Sequence, residues 1–169
     1  MGISEEALKR AVSPDSFNPG RFSKYSEDWY ALFNSLGLCN RAHVNRFYHV
    51  KTITEFYTAV TGIEITPAQL MQNAERAWTI EKMLNVREGF GRKDDKAPES
   101  WFEPLLKDGK ECVITDYYKT KVLTRADVEG FFDDYYDERG YDKVTGVPTP
   151  KKLKELGLEN MADALPASE

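Results

Sequence analysis

The sequence predicts an all-α domain, an irregular assembly of several helices. Apolar residues recur at spacings of three and four in four separate segments. Glycines and prolines stand at the ends of those segments. Almost nothing alternates with the period of two that paired strands need.

In chain order, Glu5 to Val12 reads as a short helix with no firm stop. Residues 13–20 hold two prolines and a glycine and form a connector. Arg21 to Leu38 places Tyr25, Trp29, Leu32, Phe33 and Leu36 at helical spacing and ends at Gly37. Leu38 to Val50 is polar and aromatic without a period, hence irregular or partly helical. Thr52 to Thr61 is a helix with Ile53, Phe56, Tyr57 and Val60 on one side and Gly62 after it.

The longest helix runs from Thr66 to Gly89. Thr66 can cap its first free N–H groups, and Pro67 suits the first helical position. Gly89 can take the left-handed conformation that ends it. At about 100° per residue, Gln72, Glu75, Arg76, Thr79 and Lys82 share one side. Leu70, Ala74, Ala77, Trp78 and Leu84 lie opposite, with Met71 and Ile80 at the flanks. Glu81 falls within the apolar side, so it is expected to be buried and paired with a base from Arg87, Arg92 or Lys93.

Residues 89–98 form a charged loop, and Trp101, Phe102, Leu105 and Leu106 are expected to anchor the turn after it. Cys112 to Thr115 carries a weak strand signal. Thr124 opens another helix, with Asp127 in a capping-box-like position. Val128, Phe131, Phe132, Tyr135 and Tyr136 form its inner face, Asp133, Asp134 and Asp137 its outer face, and Gly140 its stop. Thr149 and Pro150 start a last short helix that ends at Gly157. The chain thus divides into an N-terminal segment and connector (1–20), a helical domain (21–158) and a loose tail (159–169).

A length of 169 residues suits one domain with a real core. The net charge of −5 argues against nucleic acid as a partner. No apolar run approaches the roughly 20 residues needed to cross a bilayer, and the N-terminus lacks the apolar core of a secretory signal. The expectation is a cytoplasmic protein. Two cysteines, Cys39 and Cys112, imply no disulfide framework.

Three constellations invite chemical readings. Cys39, His43 and His49 hint at a metal site, but zinc needs about four ligands at suitable spacing; hydrogen-bonded histidines are the plainer account. Asp133, Asp134 and Asp137 read more simply as a solvated helix face than as a catalytic cluster. The balanced run from Arg92 to Asp95 suggests salt bridges within a loop more than anion binding. No phosphate-binding glycine motif, nucleophile elbow or zincin pattern is present.

Four segments, in order, carry a family resemblance. They are ALFNSLGLC (Ala31 to Cys39), AERAWTIEKMLNVREGFGRKDDKAPES (Ala74 to Ser100), FDDYYDERGYD (Phe132 to Asp142) and GVPTPKKLKELGL (Gly146 to Leu158). The set resembles the C-terminal helical region of the aldehyde:ferredoxin oxidoreductases and covers most of the chain from Tyr25 to Leu158. Those enzymes hold tungsten through two pterin dithiolenes beside a four-iron, four-sulfur cluster. Tungsten benzoyl-CoA reductase catalytic subunits share the architecture, so the resemblance leaves the substrate open.

The resemblance implies site residues only in the first segment. Cys39 matches the cysteine that gives one thiolate to the cluster, although a buried free cysteine is the plain alternative. Asn34 stands where the family has a pterin-contacting aspartate; it keeps an acceptor and loses the charge. Gly37 and Leu38 match positions where backbone lies close to the cofactor. The family's pterin-binding domain and the cysteines for the other three ligands have no counterpart in this sequence. The implied role is the C-terminal part of a larger oxidoreductase, inactive alone and without cofactor alone. Its partners would be the pterin-binding half and, for the whole enzyme, ferredoxin; self-association is the other way to cover an open edge. The competing reading is a helical interaction module that kept the scaffold and lost the cofactor.

Overall fold

Local capping chemistry sets the helix ends. The computed structural model describes residues 2–41 and 48–164. Among these are six α-helices: α1 (Glu5–Ala11), α2 (Pro19–Ser35), α3 (Val50–Thr61), α4 (Pro67–Arg87), α5 (Arg125–Arg139) and α6 (Pro150–Glu155). Thr66 and Gln69 form a full capping box on α4, as Thr124 and Asp127 do on α5. The α4 C-terminus closes through Gly89, at φ +92°, with the Phe90 N–H donating to Asn85 O at 3.0 Å. The α1 end, for which the sequence offers no stop, is tied down by Arg10, which donates to Glu138 at 2.6 Å.

The strand expected at Cys112 to Thr115 is displaced: a small hairpin ends at Cys112 and shares only that residue with it. Strands β1 (Leu105–Lys107) and β2 (Lys110–Cys112) pair antiparallel, with Leu105 opposite Cys112. Asp108 and Gly109 join them at φ 53° and 72°, the two-residue Asp-Gly turn that suits a hairpin. Leu105 and Leu106 do not anchor a turn; both are exposed, as is Trp101. The C-terminal residues Glu159–Ala164 form a 3-10 turn, and Met161 packs against Met83, Leu153 and Leu156.

The main apolar core lies where α2, α3 and α4 meet, around Trp29, Leu32, Phe33, Ile53, Leu70 and Ala74. The α3 face divides: Ile53 is buried, whereas Phe56 and Val60 are exposed. Helix α2 also packs along α5. Their approach is close at Gly20, where an added Cβ would lie 1.9 Å from the Phe131 carbonyl oxygen. Only glycine allows that separation.

The orientation of α4 departs from the sequence-based expectation. Glu81 and Leu84 are exposed, and Glu81 forms no ion pair among the described residues. Thr79, expected outside, is fully buried, and the Glu75 and Lys82 side chains are only 12% and 16% exposed. Gln72 and Arg76 remain outside. The cause is the character of the neighbours. Helices α2, α5 and α6 offer α4 charged and hydroxyl groups, so its polar residues bury with partners.

Those partners form a continuous network. Arg139, fully buried, donates to Asp28 at 2.5 Å, Glu27 at 2.7 Å and the Lys24 carbonyl at 3.0 Å. Lys24 pairs with Asp28 at 2.9 Å and Glu75 at 3.3 Å. Glu75 also accepts from Lys152 at 3.1 Å, and Lys152 reaches Glu155. Burial pushes the Glu75 carboxyl up, yet Lys24 and Lys152 outweigh it and hold it below its ordinary range. Thr79 and Tyr141 exchange a hydroxyl hydrogen bond at 3.1 Å. Alternating charges with hydrogen bonds to their oxygens and protons are the condition under which buried ions are tolerated; in this network the Arg139 Nε–H has no partner among the described residues. Asp134 and Asp137, on the outer face of α5, both pair with Arg21. The Arg92–Asp95 run bonds beyond its loop: Asp95 pairs with Lys82 and Arg92 with Glu129.

Candidate functional site at the end of α2

Helix α2 is fixed along its length and open at its C-terminal end. Asn18 caps it, accepting from the Arg21 N–H at 3.0 Å, and Trp29 and Phe33 anchor its middle. After Ser35 the chain turns through Gly37 at φ +66°. The Leu38 N–H donates to Phe33 O at 2.9 Å and the Gly37 N–H to Asn34 O at 3.2 Å. This double closure satisfies carbonyls that a helix end would otherwise leave free.

All four residues singled out from the sequence are exposed there. Asn34, Gly37 and Cys39 face solvent, and Leu38 is 36% exposed. The Cys39 thiol is free, as is that of Cys112. A Cβ on Gly37 would meet nothing within 4 Å, so its positive φ, not crowding within this chain, calls for glycine. Asn40 donates weakly to the Asn34 side-chain oxygen at 3.4 Å. The other end of that amide, the Asn40 carbonyl oxygen, is buried with no partner among the described residues.

The donor set fits one corner of an iron–sulfur cluster and no more. Among the described residues no group of three or more His, Cys, Asp or Glu side chains could hold a metal. His49 lies against the Thr52 hydroxyl at 3.2 Å, while His43 lies outside the described residues. A cubane cluster usually takes four thiolates, and this edge offers Cys39.

Two features of the interior escape the sequence reading. One is the Arg139 network. The other is a cleft of about 670 Å³ that reaches Pro19, Gly20, Ser23 and Glu27 on the N-terminal half of α2. Burial raises the Glu27 carboxyl against the pull of Arg139 and of Tyr135, which donates to it at 2.6 Å. The available signal is the row of five aromatic and apolar residues on α5, from Val128 to Tyr136. Among the described residues no helix is long and apolar enough to cross a membrane.

Known proteins resemble this chain in fold and sequence. The active-site complex BamBC of benzoyl coenzyme A reductase, solved with 1,5-dienoyl-CoA, contains a chain that superposes with a TM-score of 0.66 at 22% identity. The match covers 95% of this chain and 24% of that one, a likeness of fold. The tungsten-containing aldehyde ferredoxin oxidoreductase of Pyrococcus furiosus is 26% identical over 133 residues, 78% of this chain. Its Pyrococcus horikoshii counterpart is 25% identical over 134 residues, 79% of this chain. The chain spans about a fifth (20%) of the length of either relative. The family model for domains 2 and 3 of aldehyde ferredoxin oxidoreductase matches residues 3–158, and the chain belongs to that family.

Proposed function

We propose that the chain is the C-terminal part of a tungsten–pterin, iron–sulfur oxidoreductase, and that it helps to enclose cofactors held mainly by the rest of the enzyme. The observation that supports this is the open end of α2, where an exposed Cys39 follows an uncrowded Gly37. When bound, the tungsten–pterin group supplies two-electron chemistry, such as aldehyde oxidation to a carboxylic acid or a related reduction, and the cluster passes electrons singly to ferredoxin.

The roles of this chain's own residues follow from their chemistry. Cys39 offers one thiolate, and three more must come from a pterin-binding domain or subunit. Gly37 and Leu38 present open backbone and an apolar side chain that shields the site from water. Asn34 accepts from pterin N–H groups as a neutral amide, a weaker bond than a carboxylate makes. That exchange of charge favours a second reading, a helical module that binds the partner without cofactor. In either case the isolated chain carries no catalytic activity.

The test is native-state alkylation with peptide mapping, joined to metal analysis. In the free chain Cys39 is expected to react with iodoacetamide, and Cys112, also exposed, serves as internal control. In complex with a pterin-binding partner, Cys39 is expected to be protected while iron and tungsten co-purify. Cys39→Ser is then expected to abolish the reduced-cluster paramagnetic signal. A complex that keeps its full cluster with Cys39→Ser refutes the ligand role. Protection of Cys39 without any metal selects the interaction module. Protection that grows with concentration of the chain alone marks self-association.

A further inference from the structure

The cleft of about 670 Å³ between α2, α4 and α5 has the size of a small-molecule site. It lies away from the Cys39 edge. Glu27, the lining residue of α2 nearest that edge, is seven positions before Asn34, roughly 10 Å at 1.5 Å per residue. Eight aromatic residues line it, Trp78, Trp101, Phe131, Phe132, Tyr135 and Tyr136 among them. Four carboxylates, Glu27, Glu81, Asp95 and Asp116, line it against one ammonium, Lys82.

The charges do not cancel. Glu27 is paired with Arg139 from behind, and Asp95 with Lys82. Asp116 is bonded by the Thr120 hydroxyl and by the Thr120 and Lys121 backbone N–H groups, none of them a cation. Glu81 has no ion pair among the described residues. Two carboxylates are therefore left uncompensated beside an aromatic cavity. The ring geometry already suits cations: Arg139 sits 5.3 Å from Trp78 and 5.6 Å from Tyr135, and Arg92 5.0 Å from Phe132. Those arginines have their own carboxylates, in Asp28, Glu27 and Glu129, so the surplus stays negative.

We infer that this cleft binds a small organic monocation with an aromatic or bulky apolar body. The rings supply apolar contact and cation–π attraction. The surplus charge draws cations in and disfavours anions.

The test uses the 169-residue chain and three probes of one size: benzyltrimethylammonium, benzyl alcohol and benzoate. Tryptophan fluorescence reads occupancy, because Trp78 and Trp101 line the cleft whereas Trp29 is fully buried elsewhere. The cation is expected to bind saturably, about tenfold or more tighter than the other two. Glu81→Gln and Trp101→Ala, both at exposed positions, are each expected to weaken it roughly threefold to tenfold. Unchanged melting curves would exclude misfolding of the variants. Equal or tighter binding of benzyl alcohol, as in a neutral apolar seat for another protein segment, would overturn the inference. So would preference for benzoate, no saturable binding, or an affinity untouched by either substitution.

Discussion

Removing the Arg139 guanidinium is the sharpest perturbation the interior allows. Arg139→Met keeps most of the aliphatic stem and deletes the charge. Among the described residues, Asp28, with its side chain 3% exposed, would retain Lys24 as its ion-pair partner, and Glu27 would retain the Tyr135 hydroxyl. Breaking a buried pair from one side costs about 3–5 kcal/mol, because the surviving charge is left without its partner. For a domain of this size each kcal/mol moves the melting point by about 2–4 °C, so a fall of roughly 6–20 °C is expected. Arg139→Lys should rescue little, since one ammonium cannot bond two carboxylates and the Lys24 carbonyl together. Urea unfolding followed by tryptophan fluorescence gives the free energies. The double variant Asp28→Asn, Arg139→Met should lose less than the sum of the single losses, by about 1–3 kcal/mol. A single loss below about 1 kcal/mol, or strict additivity, would refute the claim that this network is energetically coupled.

Two further outcomes follow from contacts named above. Gly20→Ala improves helix propensity by up to about 1 kcal/mol, yet its Cβ would lie 1.9 Å from backbone on α5. A net loss of about 1–3 kcal/mol is expected from that overpacking, and a neutral urea midpoint would show that α2 and α5 do not approach so closely. Burial pushes the Glu138 carboxyl up, but hydrogen bonds from Arg10, Tyr25 and Arg21 outweigh it and hold it at about 2 against an ordinary 4.5. The folded-state value is depressed, so this stabilisation is present above pH 4.5 and is lost as pH falls toward 2. Glu138→Gln should be less stable at neutral pH and lose less on acidification through that window; an unchanged acid profile would sink the assignment.

Most of the helical content was legible because its signals are local. Thr66 with Pro67, Thr124 with Asp127, and Gly37, Gly62, Gly89 and Gly140 act on backbone groups within a turn of themselves. The hairpin has a local signal as well, the Asp108-Gly109 turn, but its strands are too short to show a period of two. The family segment from Asn34 to Cys39 could likewise be read directly, since its residues are consecutive and need no tertiary contact to lie together.

The side of α4 that faces inward was decided at longer range. A hydrophobic stripe predicts burial only when the neighbours are apolar, and here Lys24, Arg139 and Lys152 come from α2, α5 and α6. Asp28 and Arg139 lie 111 residues apart. No local rule selects that pair over Glu81 with a nearby base. Periodicity and capping therefore determined which segments are helices and where they end. Packing alone decided which carboxylates are buried, which rings enclose the cleft and which groups neutralise one another, because burial of a charge depends on a partner that only the folded chain brings within hydrogen-bonding distance.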